Sequence, residues 1–239
     1  MNYFSALLVS ILFVNISFSQ FLENYSIYEQ YGITKNELMG QHKKNINLEA
    51  VNNQYKYTGS PYFTADFVLG DLILNGKNIG KYLIRYNIFG EEIQVKDTEN
   101  SHFSLLKSTS LEVVTKSFLI RAYDYNTKDA IENGYFMVLV DDEKCSLLLK
   151  KEKKFIPPVK AKTSFHTDAE AKFTDLEDYY IKFETGLPVK FKLKTKKFIN
   201  LFPVGKRAEI KNYISTNTID IKKQGDLIKV VNYYNSLGS

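Results

Sequence analysis

Apolar and polar residues alternate along residues 56–194, with the period of two that is typical of β-strands. Turn signals interrupt the alternation at Asn75-Gly76, Phe89-Gly90, Asn133-Gly134, Asp141-Asp142 and Thr185-Gly186-Leu187-Pro188. From residue 195 onward, apolar residues recur at helical spacing instead. The pattern predicts a mainly β fold of antiparallel meanders, sandwich-like or roll-like, with a short α-helical C-terminal segment.

The first two turns predict a three-stranded meander with one buried face. Asn75-Gly76 favours a two-residue hairpin, and the register around it places Leu69 opposite Tyr82 and Phe67 opposite Ile84. The turn at Phe89-Gly90 predicts three further pairs: Tyr86 with Ile93, Ile84 with Val95 and Arg85 with Gln94. Both registers put Ile84 on the buried face and Arg85 on the opposite face.

Further strands are predicted at residues 111–125, 134–140, 145–156, 179–183 and 189–194. Cys145 shares a strand face with Leu147 and Leu149, so we expect a buried and chemically silent thiol. The C-terminal segment predicts a first helix capped by Thr195 and closed by Pro203, followed by helices over residues 208–214 and 225–237. The expected core residues of these helices are Phe198, Ile199, Phe202, Leu227, Ile228, Val231, Tyr234 and Leu237.

The N-terminal residues predict a secretory signal peptide. An apolar run over residues 4–16 is too short for a bilayer span, which takes about 20 apolar residues, and Ser17-Phe18-Ser19 follows as a small-x-small cleavage pattern. We therefore expect residues 1–19 to be removed and Gln20 to begin a secreted or periplasmic protein with no membrane span. A lead segment (20–55), a β-rich body (56–194) and the helical segment (195–239) complete the predicted organisation.

The composition narrows the classes of partner and of chemistry. Lys and Arg number 32 against 27 Asp and Glu, a formal charge of +5, but only three of the basic residues are Arg. Proteins that read nucleic acids favour the bidentate guanidinium, so no nucleic-acid partner is expected. Cys145 is the only cysteine, which excludes an intramolecular disulfide.

The sequence predicts no catalytic residue, no metal site and no cofactor. His42, His102 and His166 lie far apart, without the spacing of a zinc signature. Residues 124–129 resemble an oxygen-rich calcium loop but lack the central glycine and the closing glutamate, so we interpret them as a solvated turn. Paired carboxylates such as Glu91-Glu92 fall in turns, where acidic residues are common.

The basic residues are the remaining candidates for binding. Lys190, Lys192 and Lys194 alternate with apolar residues and run into Lys196-Lys197, and a second basic stretch covers residues 150–154. On a shared face they would suit an anionic glycan, lipopolysaccharide or an acidic envelope protein, and the alternative is an ordinary solvated face. Arg85 is a candidate anion-binding residue, and the alternative is an ion-paired residue on the sheet surface.

Two groups of residues resemble a known set of proteins. Gly59-Ser60-Pro61-Tyr62, Phe67, Gly70, Arg85-Tyr86-Asn87 and Glu92-Ile93 are similar to the N-terminal pattern of a group of uncharacterised secreted proteins from Bacteroidota. The end of the chain, from Lys196-Lys197-Phe198 through Tyr213-Ile214, also resembles theirs. The resemblance covers about two-thirds of the chain, and it implies an exported β-rich protein without implying an activity.

These observations favour an exported, non-catalytic β-rich protein that acts by binding or as part of a cell-envelope assembly. Two alternatives stay open: an envelope hydrolase whose catalytic residues are dispersed along the chain, and a carrier of lipid or another apolar ligand in an aromatic cavity. The oligomeric state is left open.

Overall fold

A computed structural model of the chain describes residues 55–97, 101–161 and 168–238. The expected signal peptide, the lead segment except its last residue, His42 and His166 lie outside the described residues. Within the described ranges the protein is mainly β, with short helices at the C-terminal end, which confirms the predicted fold class.

Among the described residues, eleven strands form one sheet. They are β1 (Tyr57–Thr58), β2 (Val68–Leu74), β3 (Lys77–Asn87), β4 (Glu92–Lys96), β5 (His102–Ser104), β6 (Leu111–Thr115), β7 (Leu119–Asn126), β8 (Ile131–Val140), β9 (Cys145–Ile156), β10 (Ala171–Phe183) and β11 (Val189–Lys190). Their order is β1-β10-β9-β8-β7-β6-β2-β3-β4-β5, and β11 also pairs with β10. The pairing of β1 with β10 is parallel, and the other described pairings are antiparallel.

The hairpin between β2 and β3 turns where the sequence predicts. Asn75 and Gly76 have φ values of 51° and 74°, the left-handed conformations that a type I′ turn requires. The predicted register beyond the turn is wrong by one residue, because a β-bulge at Ile79 and Gly80 inserts an extra residue into β3. Gly80 accommodates the bulge with a φ of 133°, a conformation that glycine adopts without steric penalty.

Because of the bulge, each β2 side chain lies on the face of the sheet opposite to the predicted one. Val68, not Phe67, pairs with Ile84, and Leu69 pairs with Leu83 instead of Tyr82. Leu69 is therefore exposed, whereas the sequence register predicted it to be buried. The register between β3 and β4 is as predicted, with Ile84 opposite Val95, Arg85 opposite Gln94 and Tyr86 opposite Ile93.

The remaining strands differ from prediction mainly at their ends. A turn over residues 116–118 divides the expected strand 111–125 into β6 and β7, and β8 and β10 begin earlier than predicted. Strand β9 spans the predicted residues and ends before Pro157-Pro158, which lacks the N–H groups that a ladder needs. Strand β11 has only two residues, because the chain leaves the sheet before Lys194.

The C-terminal segment forms α1 (Thr195–Ile199), α2 (Arg207–Thr216) and α3 (Gln224–Ser236). Thr195 is the first residue of α1 and not its cap; Lys194 occupies the N-cap position without a side-chain hydrogen bond. The predicted core stripe is buried at Phe198, Phe202, Leu227, Val231 and Tyr234. No helix among the described residues is long and apolar enough to cross a membrane.

The sheet curves until distant strands face one another. Strands β3 and β8 are separated in the sheet by three others, yet the rings of Tyr86 and Tyr135 lie edge to face at 5.9 Å. The concave face holds one continuous core, whose fully buried members include Leu72, Ile84, Ile93, Ile120, Leu147, Leu149 and Ile181. The helices join the same core through Phe198, Phe202 and Tyr234.

Candidate functional site

The β3–β4 turn lies where strands β8 and β9 separate. These two strands pair only from Met137 with Leu149 to Val140 with Leu147, and beyond that point β8 continues beside β7 while β9 continues beside β10. The turn contacts β9 and its neighbour β10. The Phe89 ring lies 5.1 Å from that of Phe173 on β10, and Glu91 contacts β9.

Three charged side chains form an ion cluster at this point: Glu91, Lys107 and Lys150. Lys150 Nζ lies 2.5 Å from one carboxylate oxygen of Glu91, and Lys107 Nζ lies 2.9 Å from the other. The Lys150 side chain is only 4% exposed. Gly134 leaves the space for this pair, because a Cβ there would come within 3.2 Å of both Glu91 Oε1 and Lys150 Nζ.

The two ammonium groups determine the charge state of Glu91. Burial by itself would raise the pKa of this carboxyl, but the attraction of Lys150 and Lys107 outweighs burial, and the pKa lies below its ordinary value. The carboxylate is ionised at neutral pH and both of its oxygens are paired. Its geometry is that of an electrostatic clamp, which fastens the β3–β4 turn to β9.

Two buried tyrosines border the ion cluster. The hydroxyls of Tyr86 and Tyr135 are buried and have no hydrogen-bond partner among the described residues. Burial and the nearby Glu91 carboxylate both raise the pKa of each phenol, so both remain protonated at neutral pH. The two tyrosine rings pack edge to face beside the ion cluster.

Arg85 lies on the opposite face of β3, as the sequence register predicted. Its guanidinium carbon lies 3.8 Å from the ring centroid of Tyr62 and 4.4 Å from that of Phe67. Its Nε and Nη2 both donate to Gln94 Oε1, at 3.1 and 2.9 Å. Both rings therefore make cation–π contacts with the guanidinium, and Arg85 fastens Tyr62 and Phe67 to the sheet.

The basic stretch over residues 150–154 is largely neutralised by β10. Lys151 forms an ion pair with Glu177, and Lys153 Nζ lies 2.5 Å from Asp175. These are cross-strand neighbours, because the β9–β10 register places Lys151 opposite Glu177 and Lys153 opposite Asp175. With Lys150 in the ion cluster, this stretch offers little unpaired charge.

The predicted C-terminal lysines divide into two groups. Lys190 is on β11 and pairs with Asp178 at 2.5 Å. Lys192 and Lys194 are exposed and have no ion pair within the described ranges, and the same holds for Lys196 and Lys197 on α1. We refer to residues 192–197 as the basic segment.

Buried aromatic rings hold the basic segment at both ends. The rings of Phe191 and Phe198 lie 5.0 Å apart and both are buried. Because these flanking residues point into the core, the lysines between them project into solvent. Phe198 also packs on Phe202 at 5.3 Å, which fixes α1 against the following turn.

The surroundings of the basic segment are also basic. Residues 189–238 contain eleven Lys or Arg and three Asp or Glu, a formal net charge of +8 in a chain whose total is +5. Tyr179 packs against Phe191 at 6.3 Å, and its hydroxyl donates to Gln224 at 3.4 Å. The exposed Lys222 and Lys223 therefore lie near the same corner of the molecule.

No group of three or more potential metal ligands occurs within the described ranges. No family model, curated protein or solved structure matches the chain. The assignment of function therefore rests on the molecule's own geometry and charge.

Proposed function

We propose that this is an exported, non-catalytic binding protein of the cell envelope, whose basic segment attaches to an anionic glycan. The observation that carries the proposal is the set of four exposed lysines over residues 192–197, which lack carboxylate partners among the described residues. A run of unpaired cations on a rigid support attracts a polyanion and releases it as salt increases. The expected signal peptide and the resemblance to secreted proteins of Bacteroidota support export.

The packing of the core favours a ligand site on the protein surface over a cavity on the concave face of the sheet. On the concave face, Leu72, Ile84 and Ile93 are fully buried, and Tyr86 packs on Tyr135. Apolar side chains that already pack against one another favour a structural core over the lined cavity of an apolar-ligand carrier.

Lysine suits a repeating polyanion of variable geometry. Each ammonium is a compact charge on a flexible stem, so it follows an irregular array of carboxylates or sulfates without the planar geometry that Arg requires. The aromatic anchors Phe191 and Phe198 restrict the backbone beneath these stems, which reduces the conformational entropy lost on binding.

The test measures binding of the purified protein to an immobilised acidic polysaccharide, with neutral dextran as the reference. The variant Lys192→Glu/Lys194→Glu reverses two charges of the basic segment. We expect its affinity to fall about tenfold or more, since each exposed charge contact contributes up to about 1 kcal/mol and reversal adds repulsion. Affinity of the unaltered protein should also fall as salt concentration rises.

The matched control is Lys116→Glu/Lys128→Glu, which changes the formal charge equally at two exposed lysines of the β body. It should leave affinity close to that of the unaltered protein. Equal losses in the two variants would mean that net charge alone governs attachment, and the basic segment would no longer be the binding site.

A further inference from the structure

Strand β10 is paired along the whole of one edge but only at the two ends of the other. Strand β9 pairs with every residue from Lys172 to Phe183. On the other edge, β1 pairs with Ala171 and Lys172, and β11 pairs with Tyr180 and Ile181. The five residues 174–178 between them have no strand partner on that edge within the described ranges, and we refer to them as the β10 gap.

The alternation of backbone direction identifies the groups that the gap presents. The Tyr179 carbonyl accepts from Phe191 N–H at 3.1 Å, so this carbonyl points to the β11 side. The Glu184 N–H donates to Lys144 at 3.2 Å, on the β9 side. The backbone N–H and C=O groups of successive residues point to opposite edges of a strand. Those of Asp175 and Glu177 therefore point out of the open edge, like those of Tyr179.

The gap is accessible as well as unpaired. Asp175, Leu176 and Glu177 are all exposed, and Leu176 retains 48% of its surface. An open strand edge with an exposed apolar side chain is a template for an added strand. The chain itself closes the gap at both ends, since Gly59 lies against the Phe173 carbonyl and Phe191 binds Tyr179.

Charge selects the occupant. Asp175 and Glu177 pair with Lys153 and Lys151 on the β9 side, so their open side has no cation among the described residues. A second β10 laid antiparallel on that side would place carboxylates beside carboxylates, which destabilises strand pairing. The neighbouring β11 shows what this edge accepts, because Lys190 extends across it to the Asp178 carboxylate. A strand that carries lysines at alternate positions complements the edge.

We propose that the β10 gap is a docking site for an extended polypeptide segment in which basic and apolar residues alternate. The guest strand forms backbone hydrogen bonds with Asp175 and Glu177, and its basic side chains lie beside the gap carboxylates. This site is separate from the basic segment and does not depend on attachment to a glycan.

The probe is an acetylated and amidated heptapeptide of alternating Lys and Val, added to the full chain. Hydrogen exchange at single-residue resolution should show slower exchange of the Asp175 and Glu177 amides on peptide addition, whereas Leu176, whose N–H points to β9, should be unchanged. Fluorescence anisotropy of labelled peptide gives the affinity. Glu177→Pro removes one outward N–H from an edge position that tolerates proline, and it should weaken binding at least about tenfold.

The matched variant Glu177→Gln keeps the N–H and should bind within a few-fold of the unaltered protein. A peptide N-methylated at alternate residues keeps its charge but loses the donors for the edge, and it should not bind. The proposal is overturned if the N-methylated peptide binds equally well, or if millimolar peptide leaves Glu177 exchange unchanged. It is also overturned if Glu177 becomes protected by self-association without peptide, since a second copy is then the occupant.

Discussion

Replacing Glu91 should destabilise the fold more than replacing its most buried partner, Lys150. Glu91→Gln leaves two ammonium groups near one neutral amide, and one of them, Lys150, is only 4% exposed. Lys150→Met leaves the Glu91 carboxylate paired with Lys107 at 2.9 Å. The two substitutions break the same ion pair, but they leave very different residual charges.

The structure gives the approximate size of each loss in the free energy of unfolding. Removing one partner of a buried pair costs about 3–5 kcal/mol, and for Glu91→Gln we expect about 3 kcal/mol because the Glu91 side chain is itself 24% exposed. For Lys150→Met we expect about 1–2 kcal/mol, because Lys107 still neutralises the carboxylate and Met replaces the apolar stem of a side chain whose Nζ lies 5.3 Å from the Tyr125 ring and 5.7 Å from the Phe136 ring.

The assay is urea denaturation of both single variants and of the double variant, followed by circular dichroism. The double variant should be more stable than the sum of the two single losses predicts, by about 1–2 kcal/mol, because the uncompensated Lys150 cation is then absent. If Lys150→Met proves the more damaging substitution, or if the losses simply add, Glu91 is not the centre of the cluster.

Three further predictions concern the burial of Ile84, the pKa of the Cys145 thiol and the pKa of the Glu91 carboxyl. Ile84→Ala should lower the free energy of unfolding by about 2–5 kcal/mol and Arg85→Ala by about 1–2 kcal/mol, which paired denaturant melts would show, because only Ile84 leaves a core cavity. Burial raises the pKa of the Cys145 thiol to about 12, so thiol labelling of the native protein should be slow and should become fast in denaturant. The lowered folded pKa of Glu91 means that its contribution is present above the unfolded value of about 4.3 and is lost as pH falls through the folded value. Acid titration of stability should therefore be flatter in Glu91→Gln, and an unchanged acid limb would contradict this.

Local signals made the turn at Asn75-Gly76 and the β3–β4 register predictable. The dipeptide Asn75-Gly76 is typical of a type I′ turn. On both sides of the second turn, Ile84, Tyr86 and Ile93 fall at alternate positions that share the buried face. The bulge at Gly80 was not predictable by the same means, because an isolated glycine within a strand is compatible with either register. One unrecognised residue was enough to exchange the predicted faces of Phe67 and Leu69.

The ion cluster had no sequence signal. Glu91 and Lys150 are 59 residues apart, and each falls in a context that suggests a solvated surface: an acidic turn and a lysine-rich strand. They meet only because β8 and β9 separate and the β3–β4 turn enters between them. The predicted turn at Asn133-Gly134 is wrong, because both residues lie within β8. There the missing side chain of Gly134 leaves the space in which Glu91 and Lys150 pair.

One departure from the predicted pattern links the two proposed surfaces. The alternation over residues 189–194 favours a full strand along β10, and that strand would have placed Lys192 opposite Asp178 and closed part of the gap. The chain leaves the edge after Phe191 instead, because Phe198 and Phe202 are fully buried in the core with the helices. Burial of two aromatic side chains outweighs a few edge hydrogen bonds, each contributing about 0.5–1.5 kcal/mol. The same departure therefore frees the lysines for an anionic partner and leaves the acidic edge open for a basic strand.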